Sequence, residues 1–152
     1  MKFACDVMLG RLARWLRMSG HDVFYSRDID RSSLLRVARE EGRTVITRAG
    51  NYRELSDIPP YLIVSGDGLD EQLMQVYRAW PDLDPFAAFL SRCALCNAPL
   101  EEIDKEKYKD RIPTKALLID GTFRRCPDCD KILWPGTHVT RIEARLRRLF
   151  PT

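Results

Sequence analysis

No stretch of the chain is apolar for long enough to cross a bilayer. The opening residues, MKFACDVMLGRLARW, reach Asp6 and Arg11 before any apolar run attains the length of a secretion signal. Membrane insertion and export are therefore not expected, and the expected compartment is the cytoplasm. Charge of one sign is scarce too: 25 Lys and Arg against 22 Asp and Glu leave a formal net charge of +3, too little by itself to point to a polyanionic partner. Nor is there the shortage of apolar side chain that marks disorder, since 45% of residues are hydrophobic and 31% charged. At 152 residues the chain has room for one domain or two small ones.

Acids are missing locally as well. The run Met8 to Met18 carries Arg11, Arg14 and Arg17 without one acid, and the C-terminal run sets Arg141, Arg145, Arg147 and Arg148 against Glu143 alone. Clustered arginine points to phosphate, with a solvated helix face as the ordinary reading of each run.

What is present begins with five cysteines. Cys93-Ala-Leu-Cys96 and Cys126-Pro-Asp-Cys129 are matched C-x-x-C pairs, each able to put two thiolates on one turn. Two such turns fill the tetrahedral shell of a structural Zn²⁺ with sulfur, and a ribbon tolerates an inserted loop between them. A reducing compartment disfavours disulfides, and a redox pair explains the matched spacing less well. With four sulfur ligands such an ion has no open position, so chemistry is expected elsewhere. Cys5, in the apolar run Phe3-Ala4-Cys5, reads as a small buried hydrophobe.

The first half repeats a strand, loop, helix rhythm. Strands are expected from Lys2 to Cys5, Asp22 to Ser26, Arg43 to Thr47 and Tyr61 to Ser65. Helices are expected from Met8 to Met18, Ser33 to Glu41 and Leu69 to Trp80, with a short turn from Asn51 to Leu55 and stops at Gly20 and Gly42. Such alternation predicts an α/β fold with a parallel sheet, whose strand C-termini gather loops along one edge. There stand Asp6 after the first strand, Asp28 and Asp30 after the second, Arg48 and Ala49 after the third, and Asp67 and Asp70 after the fourth.

Crowded carboxylates repel, a cost that a bound cation removes, so this edge is a candidate Mg²⁺ or Mn²⁺ site for phosphodiester hydrolysis, with arginines holding the phosphates. Each acid also has an ordinary reading: Asp6 as a helix cap, Asp30 as a cap helped by Ser32, and Asp67-Gly68 as a turn. A cap can still bind a metal.

The run Cys5 to Arg17, CDVMLGRLARWLR, followed by Gly20-His21-Asp22, resembles the opening of the Mut-seven C-terminal RNase domain, a branch of the PIN-like nucleases. Glu40 to Arg48, Glu71-Gln72-Leu73, Arg92 to Asn97, Phe123 to Cys129 and Trp134 to His138 resemble its later motifs in order. This resemblance implies a PIN-like parallel sheet flanked by helices over residues 1–90, then a four-cysteine zinc ribbon with a C-terminal basic helix over 91–152. It also implies a metal-dependent ribonuclease with RNA as partner; on the acidic edge Asp6 is the first expected Mg²⁺ or Mn²⁺ ligand and Asp30 the next, with Asp28 or Asp67 completing the edge.

The family has aspartate directly after the Thr-Arg pair, where this chain has Ala49. One acidic ligand is missing, by natural loss or by replacement. Arg11, Arg14, Arg17 and Arg48 are the expected substrate contacts. Trp134 and His138, in the last motif, either meet a base or complete the ribbon's small core; His21 reads as structural. A non-catalytic RNA-binding protein with a structural zinc ribbon is the alternative, supported by Ala49, and a zinc-stabilised protein-interaction module is a third reading.

Overall fold

The structure is a computed structural model that describes residues 1–151. Strands β1 (Lys2–Cys5), β2 (Asp22–Tyr25), β3 (Thr44–Thr47) and β4 (Tyr61–Ile63) form a parallel sheet in the order β2-β1-β3-β4. The connecting helices are α1 (Gly10–Met18), α2 (Arg31–Glu41) and α3 (Leu69–Ala79). The expected α/β class is what the chain adopts. Several ends differ by a residue or two because caps set them. Asp6 opens a 3-10 turn at Val7–Leu9 ahead of α1, and Asp30 starts α2 at Arg31, two residues earlier than the apolar periodicity indicates.

Strand residues alternate between the two faces of the sheet, as the pleat requires. Phe3, Cys5 and Ile46 pack with Leu12, Leu16 and Leu73 of α1 and α3. Ala4 and Val45 face the other way, onto Leu34 and Ala38 of α2 and onto Tyr52. Leu16 and Leu73 are fully buried, and truncating either to Ala is worth about 2–5 kcal/mol of stability.

Beyond residue 90 a second, antiparallel sheet runs in the order β5-β6-β7, from β5 (Glu101–Ile103), β6 (Phe123–Arg125) and β7 (Ile132–Leu133). Helix α4 (Thr114–Leu117) and Ile112, Ala116 and Phe123 give it a small core of its own. The last helix, α5 (Thr137–Leu149), does not stay with this sheet. Its Ile142 and Leu146 enter the core of the parallel sheet, and Asp70 on α3 pairs with Arg145 at 2.7 Å and Arg148 at 3.5 Å. Arg147 pairs with Glu143 and lies over the Phe86 ring. Most of the C-terminal arginine run is thus paired with carboxylates of the chain itself, two of its members with Asp70 on α3 and one with Glu143 on α5.

Asp22 joins the two sheets. Its carboxylate accepts from Arg43 Nη1 at 2.7 Å and Asn97 Nδ2 at 2.8 Å, and Arg92 stands 3.7 Å away. Asn97 in turn accepts from the Val23 backbone N–H through its Oδ1, and Arg43 reaches the Phe3 carbonyl. Burial alone would raise the pKa of Asp22, but the hydrogen bonds from Arg43 and Asn97 and the charges of Arg43 and Arg92 outweigh it and hold it below the usual value. Nearby, Gly20 has φ +91°, and a Cβ there would lie 2.2 Å from the Ala88 carbonyl oxygen, so the chain closes on itself at a point only glycine permits.

His21 is structural as expected: it is 8% exposed, and its Nε2 is 2.9 Å from the Tyr77 hydroxyl. Burial, then the N-terminal amino group, pushes its pKa down to about 4. The folded state therefore resists a proton that the unfolded chain accepts from its ordinary value of 6.5 downward, and stability falls as pH drops from 6.5 toward 4, then levels off. Urea unfolding across this window should show a loss of roughly 3 kcal/mol beyond what other groups contribute. His21→Gln, which can still bond Tyr77, should flatten that slope; an unchanged slope would assign it to other groups.

Candidate metal centre and sheet-edge site

The two cysteine turns fold alike. In the first, Cys93 N–H donates to the Ala98 carbonyl and Asn97 N–H to the Cys93 carbonyl; in the second, Cys126 N–H donates to Lys131 and Asp130 N–H to Cys126. Asn97 and Asp130, each following a second cysteine, take left-handed backbone with φ +73° and +57°. These residue types tolerate that conformation, which is why they close the turns. The four Sγ atoms lie within 4.8 Å of one another, with Cys96 and Cys126 at 3.4 Å and Cys93 and Cys129 at 4.0 Å. A tetrahedral ion about 2.3 Å from each sulfur would separate neighbouring sulfurs by about 3.8 Å, so the set fits a metal such as zinc. The separations are far beyond the roughly 2 Å of a disulfide.

The parallel sheet reverses its strand order between β1 and β3, and the crevice at the carboxyl ends of those two strands is where such sheets bind ligands. Asp6 stands there. Its Oδ1 accepts from Met8 N–H at 3.0 Å, while its Oδ2 accepts from the Thr47 hydroxyl at 2.5 Å and from Arg48 N–H at 3.2 Å. Ala49 is its neighbour across the crevice: the Ala49 N–H donates to Thr47 Oγ1 at 3.0 Å, and its methyl packs on the cluster containing Tyr52. Burial, then the charge of Asp6, raises the pKa of Tyr52.

The other acids do not converge on this point. Asp28 and Asp30 follow β2 and Asp67 follows β4, the two edge strands, which stand three strand spacings or about 14 Å apart. Asp30 caps α2 by accepting from Ser33 N–H at 2.8 Å and Ser33 Oγ at 3.1 Å, so the helper is Ser33 and not Ser32; these bonds lower its pKa. Asp28 is exposed. Asp67, 90% exposed, pairs with Arg48 at 2.7 Å. Among the described residues the four cysteines are the one group of three or more acidic, histidine or cysteine ligands drawn together tightly enough for an ion. A single carboxylate with three protein donors already on it does not fit a resident Mg²⁺ or Mn²⁺. The acidic edge expected from strand order is thus a row, not a cluster.

Arg17 also departs from expectation. It is 5% exposed, not a surface contact, and donates to the carbonyls of Val23 at 2.9 Å, Ala94 at 3.3 Å and Leu95 at 2.8 Å. Burial lowers its pKa, outweighing the opposing pull of the Asp22 carboxylate. It pins the first cysteine turn to β2. Arg11 and Arg14 are exposed, and Arg48 is half-buried at the crevice. Trp134 is half-buried and stacks on Phe123, with ring centroids 6.4 Å apart and planes 24° apart, so it packs the ribbon core; His138 is exposed in the first turn of α5. Thr47, which donates to Asp6, ends β3 at this edge, and Arg27 stands exposed beside Asp28 after β2; single residues outside any spacing pattern carry no signal in the sequence.

A helix-flanked parallel sheet at the head of the chain and four clustered cysteines toward its end define an α/β protein with a small ribbon able to hold a metal such as zinc. The Mut7-C RNAse domain family matches residues 1–146, and the chain belongs to that family. Membership points to a nuclease or RNA-related role. No curated protein and no solved structure matches the chain. No helix among the described residues is long and apolar enough to cross a membrane.

Elemental analysis of the purified chain should find one zinc per molecule. Cys126→Ser, at a fully buried sulfur, should lose that zinc and lower the Tm by several degrees; retention of zinc by this variant would mean that the ion is held elsewhere.

Proposed function

We propose that this chain acts on RNA at the carboxyl edge of its parallel sheet, and that its hydrolytic centre lacks an acid at position 49. The family match over residues 1–146 carries this reading. Asp6 at the crevice between β1 and β3 supports it, as the acid nearest a bound phosphodiester. Arg48 and Arg11 line one small pocket beside that crevice and would hold phosphate oxygens. Zinc, held by Cys93, Cys96, Cys126 and Cys129, would brace the ribbon without taking part in hydrolysis, since four sulfurs close its coordination shell.

A ribonuclease centre of this type takes Mg²⁺ or Mn²⁺, which supplies an activated water and stabilises charge on the phosphate. The acids of this chain do not provide the paired carboxylates such an ion needs, because position 49 carries a methyl group beside Asp6. RNA binding is the activity that the geometry supports best, and cleavage is the family activity that the loss of this acid withholds. Ala49 has φ −76° and ψ 109°, which any residue adopts, and it precedes the 3-10 turn Gly50–Glu54, which has no side-chain cap. The backbone conformation at 49 is open to aspartate.

Ala49→Asp should therefore gain Mn²⁺-dependent RNA cleavage at least about tenfold above the parent chain, and Asp6→Asn in that background should abolish it. Mn²⁺ should also raise the Tm of Ala49→Asp and leave the parent unchanged, a readout independent of turnover. Cleavage by the parent that survives Asp6→Asn would move the active centre away from this edge. Failure of the parent to bind RNA at low salt would remove the RNA reading.

A further inference from the structure

A groove of about 360 Å³ lies between α1, the end of β2 and the first cysteine turn. Arg11 and Arg14 line one wall, Arg27 and Tyr25 another, and Ala94 and Leu95, inside the Cys93–Cys96 turn, a third. No acid lines it. Arg11, Arg14 and Arg27 make no ion pair with any carboxylate among the described residues, unlike Arg145, Arg147 and Arg148, whose charges are matched within the fold. Guanidinium groups gathered in a concavity without a counter-charge are an anion site awaiting its ligand.

Tyr25 and the cysteine turn are held in place, while the three arginines are exposed. Tyr25 donates its hydroxyl to the Val7 carbonyl at 2.9 Å, and its ring lies against the start of α1 only because residue 10 is glycine: a Cβ there would sit 2.7 Å from the Tyr25 hydroxyl oxygen and 2.9 Å from Cζ. Leu95 is 42% exposed, while its carbonyl is fixed by the buried Arg17. An aromatic ring and an exposed leucine beside unpaired arginines match a nucleotide, with phosphate on the guanidinium groups and a base against the apolar wall. The volume is at the low end for a ligand site and suits one nucleotide unit. Arg11 also lines the small pocket that holds Arg48 and Asp67, so it stands between the groove and that pocket.

We infer that this groove is a binding subsite for single-stranded RNA, in which the first cysteine turn forms part of the nucleic-acid surface and Arg14 and Arg27 hold backbone phosphate. The inference rests on the RNA reading above and adds a subsite on the β2 side of the molecule. Double-stranded RNA keeps its bases stacked inside the helix and cannot lay one against Tyr25 and Leu95, so the occupant is a single strand.

The test is fluorescence anisotropy with a short unstructured RNA, on the zinc-loaded full chain, over a range of salt. Arg14→Glu and Arg27→Glu change exposed side chains; Arg36→Glu, on the opposite face in α2, makes the same change in net charge. Each groove variant should weaken binding about 5–10-fold and reduce the slope of log K against log salt by about 0.7, the double variant about twice that slope change, and Arg36→Glu should do neither. A double variant no weaker than Arg36→Glu, with parent binding intact, would overturn the groove and leave the sheet-edge reading standing. A parent chain that does not bind RNA would overturn both. Equal competition by a duplex of the same sequence would overturn the single-strand assignment.

Discussion

The half-buried carboxylate of Asp22, clasped by Arg43 from the parallel sheet and by Asn97 and Arg92 from the first cysteine turn, is the contact on which the arrangement of the two halves depends. Removing one member would leave the others short of partners in a poorly solvated place, which costs more than the bond itself contributes. Arg17 reinforces the same joint from α1 by holding the carbonyls of Val23, Ala94 and Leu95. The turn's own hydrogen bonds fix its shape, but its position relative to the sheet comes from these contacts of Asp22 and Arg17. The groove between α1 and the turn follows directly from them.

That joint gives the arginines of α1 different fates according to their angle around the helix. Arg17 turns inward to become a fixed part of the scaffold, whereas Arg11 and Arg14 remain in solvent with their charge unmatched. The arginines of α5 show the opposite economy, since Asp70 and Glu143 satisfy most of them and α5 adds Ile142 and Leu146 to the main core. Residue type and clustering are the same in both runs. The presence or absence of nearby carboxylates separates a phosphate-ready surface from a structural one.

At the sheet edge, strand order sorts the acids as sharply. Asp6 and position 49 follow the two central strands flanking the switch point, while Asp28, Asp30 and Asp67 follow edge strands and go to solvent, a cap and an exposed ion pair. We propose the division near residue 90 as the organisation of the chain, with α5 bridging back across it.

The strand-helix rhythm, the capping of α1 and α2 by Asp6 and Asp30, the four-cysteine site and the family were legible in the sequence, because each rests on local spacing or on an ordered run of motifs. His21 was readable as a packing residue, whereas for Trp134 the sequence left base contact and packing open and only its stacking on Phe123 decided for packing. Tertiary structure alone decided which strands are central, that the acids form a row, that Arg17 is buried, and that Arg27 and Leu95 face one groove. Strand order and helix rotation arise from contacts between residues far apart along the chain, and spacing between neighbours carries no record of them.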